Sequence, residues 1–177
     1  MRLLPLTAAL LASLTACTSV QPGTADYVPL VQTSAASVAR LAPGQTLYVQ
    51  YRYPRNLLEE DQEYDQYFDA LAFDYSPASR VNGNVPSPVK PADWLKLQAV
   101  EAPKGVTINV QKVNVVREVT KTTDSDSGVN VKYYEVFRVT YKITAAADAK
   151  TGVDTAKVTF NDGKRTPDVM VFLNVTQ

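Results

Sequence analysis

Apolar positions along the chain follow two regimes. From Leu3 to Leu14 they form one run, broken only by Pro5, Thr7 and Ser13, whereas from residue 37 onward they recur mainly at every second position. Period-two alternation carried by aromatic and β-branched residues predicts strands with one buried face. Ser37 to Leu41 reads as a short strand before the turn Ala42-Pro43-Gly44. From Gln45 to Tyr53, Leu47, Val49, Tyr51 and Tyr53 alternate with Tyr48, Gln50 and Arg52 until Pro54 stops the strand. Trp94, Leu95 and Leu97 open another. Val106 to Val119 reads as a strand with a bulge, or as two strands, with Val106, Ile108 and Val110 on one phase. Val131 to Thr144 is the strongest run: Phe137, Val139, Tyr141 and Ile143 face one way, and Arg138, Thr140, Lys142 and Thr144 the other. Asp154 to Phe160, the turn Asn161-Asp162-Gly163 and Val169 to Val175 form a closing hairpin.

Between Asn56 and Tyr75 the period changes. Asn56-Leu57-Leu58-Glu59 has the spacing of a capping box, and Leu57, Tyr64, Phe68 and Leu71 recur at helical intervals. A short helix ending near Phe68 is expected, then a strand through Leu71, Phe73 and Tyr75. Ser76 to Ala92, with Pro77, Pro86, Pro88, Pro91 and Asn82-Gly83-Asn84, reads as a long loop, and Thr122 to Asn130 as a polar hairpin loop. About eight strands with one short helix predict a mostly β, antiparallel sandwich. Tyr141 to Phe160 resembles the last strands of secreted fibronectin-like and immunoglobulin-like modules, with Ala147 and Thr151 where such modules often carry proline. The resemblance implies an immunoglobulin-like or fibronectin-like sandwich.

The first apolar run follows Met1-Arg2 and ends in Leu14-Thr15-Ala16-Cys17, which resembles the lipobox of bacterial lipoproteins. The run is shorter than the roughly 20 apolar residues that a bilayer core requires. The resemblance implies that residues 1–16 are a signal peptide, and that the Cys17 thiol is alkylated with diacylglycerol and becomes the first residue of the mature chain. It further implies that acyl chains such as palmitate hold the protein at the membrane. Thr18, in place of Asp, implies the outer membrane if the organism has two membranes. Residues 17–36, short of large apolar side chains, then read as the lipidated cysteine and a flexible tether, or alternatively an edge strand. Residues 37–177 form the sandwich domain.

Charge and composition narrow the function. Basic and acidic residues number 18 each, and loss of Arg2 leaves 17 against 18, so nothing suggests a nucleic-acid partner. The single cysteine allows no disulfide within a monomer. The absence of histidine removes Ser-His-Asp and Cys-His catalysis and weakens transition-metal chemistry. No phosphate-cradling glycine loop, dinucleotide fingerprint or nucleophile elbow occurs. Ca2+ has candidate carboxylates in Glu59, Glu60, Asp61, Glu63, Asp65, Asp69 and Asp74, and in Asp124 and Asp126, although neither group has the spacing of a known loop. Among ten tyrosines, Tyr51 and Tyr53 share the buried phase. Tyr48, Tyr64, Tyr67 and Tyr75 are the candidates for binding a partner. The expectation is a non-enzymatic cell-envelope lipoprotein without a cofactor beyond its lipid, a structural or assembly subunit that contacts another envelope protein or a surface polymer. The alternatives are a carbohydrate- or Ca2+-binding module and a carboxylate-dependent hydrolase.

Overall fold

A computed structural model describes residues 31–58, 62–71, 87–124 and 128–177. Within them the strands are β1 (Val31–Ser34), β2 (Val38–Leu41), β3 (Thr46–Pro54), β4 (Val89–Pro91), β5 (Lys96–Glu101), β6 (Val106–Asp124), β7 (Gly128–Ala145), β8 (Gly152–Asn161) and β9 (Asp168–Val175). One sheet has the order β1-β3-β7-β6-β4 and the other β2-β9-β8-β5. Taking β3 and β5 to β9 as B and C to G gives B-E-D in the first sheet and G-F-C in the second. That is the strand order of an immunoglobulin-like sandwich.

The core follows from the alternation. Val49, Tyr51 and Tyr53 of β3 pair with Tyr141, Val139 and Phe137 of β7, and all six are at most 1% exposed. Ala156, Val158 and Phe160 of β8, with Val171 and Leu173 of β9, meet them from the second sheet. The expected bulge in the 106–119 run is a register shift between Val110 and Lys112.

Two edge pairs are parallel, β1 with β3 and β2 with β9, while every other pair among the described residues is antiparallel. The chain crosses from one sheet to the other through Ala35–Ser37. The Tyr51 hydroxyl pins this crossing from inside, within 3.1 Å of the Ser37 carbonyl oxygen and 3.3 Å of that of Phe172. β1 lies in the stretch expected to be tether, where it takes the edge-strand alternative. The signal peptide, the lipobox and the earlier tether lie outside the described residues.

The helix is shorter than its spacing suggested. Arg55–Leu57 is a 3-10 turn and only Asp65–Asp69 is α-helical (α1), neither with a side-chain cap, so Asn56 caps nothing. Five residues do not hold a helix by propensity. Packing holds this one: Phe68 is fully buried with its ring edge-on to Phe137, centroids 5.4 Å apart, closing one pole of the sandwich. β4 occupies part of the expected loop. Trp94 and Leu95 precede β5 instead of opening it. The strand expected through Phe73 and Tyr75 falls outside the described residues.

β6 and β7 outrun their neighbours. β3 ends opposite Val136 and β4 ends opposite Val116, which are themselves partners. Eight further pairs, from Arg117 with Glu135 to Asp124 with Gly128, continue as a two-stranded ribbon with no third strand among the described residues. At about 3.4 Å per residue the ribbon extends roughly 25 Å past the sandwich. β1 runs parallel to β3, toward this pole, so the first described strand points the way that the ribbon projects.

Candidate functional site

Where β3 stops and β7 runs on, a notch opens beside the ribbon base. It is floored by Pro54, Glu135 and Val136, and walled by Arg55–Leu57 and by the Ala35–Ala36 crossing. It encloses about 990 Å3. An adjoining apolar cleft of about 290 Å3 shares Ala35, Ala36 and Leu57 and continues to Met170 and Phe172. Leu57, Tyr133, Tyr134 and Met170 lie along these two hollows, four of the eight large apolar side chains exposed among the described residues. Such a concentration marks a contact surface more than scattered exposure does.

Charge pairing stiffens the notch. On one face of the hairpin Glu135 accepts from Arg117 at 2.7 Å and from Arg55 at 2.7 Å, and Arg55 also pairs with Asp65. Arg117 further donates to the Leu71 carbonyl oxygen, 3.1 Å away, and its guanidinium lies over the Tyr133 ring. On the other face Glu118 accepts from Arg138 and Arg52, the latter through Nε at 2.8 Å. Burial works to raise the Glu118 carboxyl, but the two guanidiniums outweigh it and hold its pKa below the ordinary value. Arg52, Arg55, Asp65 and Glu135, the charged residues that line the notch among the described ones, sum to zero.

The predicted tyrosines fall in different places. Tyr48 is half-exposed on the outer face of its sheet, with Lys142 over its ring. Tyr64, expected at a binding surface, is instead core: it is 3% exposed, wedged between Trp94 and Phe137, and its hydroxyl donates to Asp162 at 2.7 Å. Burial and that neighbouring carboxylate both push its phenol upward. Tyr67 is half-buried, stacked on Trp94 with centroids 4.0 Å apart, so each ring has one face occupied. Tyr75 and Asp126 are outside the described residues, as are Glu59, Glu60, Asp61 and Asp74, and nothing is described of the Asp124 side chain. Among the described residues no three His, Cys, Asp or Glu side chains converge on a metal-sized space, and no helix is long and apolar enough to cross a membrane.

Tyr133 and Tyr134 were not singled out by sequence. A signal for them exists: Glu135 sits on the phase of Phe137 and Val139, and its partner Arg117 on the phase of Val113 and Val115. Charge on an apolar phase marks where a hairpin leaves the core. Compared with known proteins, the chain matches no protein family, no curated protein and no solved structure. The fold and notch therefore define it at the level of a β-sandwich with a projecting ribbon and a contact groove.

Proposed function

We propose that this chain is a non-enzymatic lipoprotein of the bacterial cell envelope, anchored by acyl chains on Cys17, which contacts another envelope component through the ribbon and the notch at its base. One observation carries the reading: β1, the first described strand, runs parallel to β3 and toward the ribbon. A protein tethered through its N-terminus thereby presents the notch and its exposed Leu57, Tyr133 and Tyr134 away from the bilayer. The lipobox-like Leu14-Thr15-Ala16-Cys17 supplies the anchor, and two or three acyl chains suffice where one is marginal. An assembly or structural role fits a histidine-free chain whose recognisable assets are surface and shape.

Metabolic labelling with an alkyne palmitate, followed by membrane fractionation, tests the anchor. The native chain takes up label and sediments with membranes, while Cys17→Ser loses both. Absence of label in the native chain, or equal membrane retention of Cys17→Ser, overturns the reading.

A further inference from the structure

We infer that the notch beside the ribbon base is a binding site for a neutral oligosaccharide, an inference that rests on the proposed envelope role and gives the surface component a chemistry. Three groups at the notch are uncommitted within the described structure: the exposed Tyr134 ring and the side-chain amides of Asn56 and Gln62, none of which makes a hydrogen bond or ring contact there. An aromatic face takes the C–H face of a sugar ring. Primary amides, each with two donors and an acceptor, match its hydroxyls.

The charges decide what kind of glycan fits. Arg52 and Arg55 line the notch but are already bonded to Glu118, Asp65 and Glu135, and the described lining has no net charge. Among the described residues of the notch a phosphorylated or sulfated polymer would find no free cation, whereas a neutral one needs none. The volume of about 990 Å3 lies at the upper end of the roughly 300–1,000 Å3 typical of ligand pockets, room for more than one sugar ring. The open edge of β7 invites an added peptide strand as the rival occupant. Arg55 disfavours it. Its guanidinium bonds Glu135 at 2.7 Å and holds the position where a strand continuing β3 would begin.

The test uses the full lipidated chain in a detergent without a sugar head group, probed on an array of neutral, sulfated and phosphorylated oligosaccharides and on an array of extended peptides. Retention of neutral glycans is expected, with the best of them then measured by calorimetry. Tyr134→Ala then weakens binding about tenfold and Asn56→Ala several-fold, whereas Tyr48→Ala on the outer sheet face leaves it unchanged. Both altered side chains in the notch are exposed, so the fold survives their removal. Retention of charged glycans alone, capture of peptides in place of sugars, no retention at all, or equal binding by Tyr134→Ala each overturns the inference. Binding that persists in unlipidated Cys17→Ser upholds the site even if the anchor fails.

Discussion

Glu118 and Glu135 lie on opposite faces of one hairpin, and each carboxylate is clamped between two guanidiniums: Arg52 and Arg138 for the first, Arg55 and Arg117 for the second. Arg117 and Glu118 are adjacent on β6, so their side chains diverge, and each clamp ties β6 and β7 to β3 or to the turn after it. The clamps sit where β3 and β4 end. A two-stranded ribbon is marginal by itself, and these bonds fix its root.

Glu118→Gln is therefore expected to lower stability by about 1–3 kcal/mol, because it leaves Arg52 and Arg138 without their counter-charge. It also changes the acid response. The folded carboxyl sits below its unfolded value, so its contribution is complete above about pH 4.3 and disappears as pH falls through the lowered folded value. Urea denaturation of both chains at neutral and acid pH checks this: the native chain loses more stability on acidification than Glu118→Gln does. An equal loss in both would mean that the clamp carries no linkage.

The buried tyrosines set the alkaline limit. Burial pushes Tyr51 up to about 12, a backbone hydrogen bond opposing it only in part, and pushes Tyr53 and Tyr141 higher still, with their hydroxyls 3.1 Å apart. Their neutral forms favour the folded state fully below about pH 10, and that contribution is lost as pH rises toward their folded values. In a spectrophotometric titration the buried tyrosines should form a group that ionises only together with loss of the near-UV circular dichroism. Tyr141→Phe should cost about 0.5–1.5 kcal/mol and shrink that group. One smooth titration of all tyrosines would contradict this burial.

β3 and the upper part of β7 were legible because a period of two with large apolar residues has one meaning when both sheets need a face. The ribbon was legible only in hindsight, through Glu135 and Arg117 on apolar phases. Tyr64 misled because its helical spacing from Phe68 says nothing of Trp94 and Phe137, which reach it from distant parts of the chain. The helix was overextended for a related reason: Leu57 and Leu71 fit its period, yet Leu57 ends a 3-10 turn and Leu71 follows the last helical turn. β2 was legible as the short strand before the turn Ala42-Pro43-Gly44, whereas β1, of four residues, is too short to carry a pattern, and the parallel pairing of both goes with the crossing at Ala35–Ser37.

Gly105 supports the pole opposite the ribbon. Its φ is +82°, and a Cβ there would lie 2.9 Å from the Ala149 Cα, a backbone atom that cannot swing aside. Gly105→Ala is expected to cost about 2–4 kcal/mol from left-handed strain and overlap together. Gly163, at φ +93° with open space around it, should lose only about 1 kcal/mol on the same change. At about 2–4 °C per kcal/mol for a chain of this size, thermal melts separate the two variants. Equal melting points would mean that the loop around Ala149 yields.

Asp162 joins the closing hairpin to the helical pole. One carboxylate oxygen accepts from the backbone N–H groups of Lys164 and Arg165, at 2.7 and 2.6 Å, and the other accepts the Tyr64 hydroxyl. Burial opposes ionisation, yet the Tyr64 hydroxyl, the two backbone N–H groups and the Arg165 charge together pull the pKa down to about 2. Asp162→Ala leaves a core phenol without its acceptor and should cost about 1–3 kcal/mol. Asp162→Asn keeps an acceptor for the turn and should recover part of that loss. Because the folded value lies below the unfolded one, the Asp162 contribution is complete above about pH 3.9 and fades as pH falls toward 2. Denaturation at pH 7 and pH 3 therefore shows a smaller acid loss in Asp162→Asn than in the native chain. If the two lose stability in parallel, the carboxylate is holding the turn by geometry alone, and its charge contributes nothing to the fold.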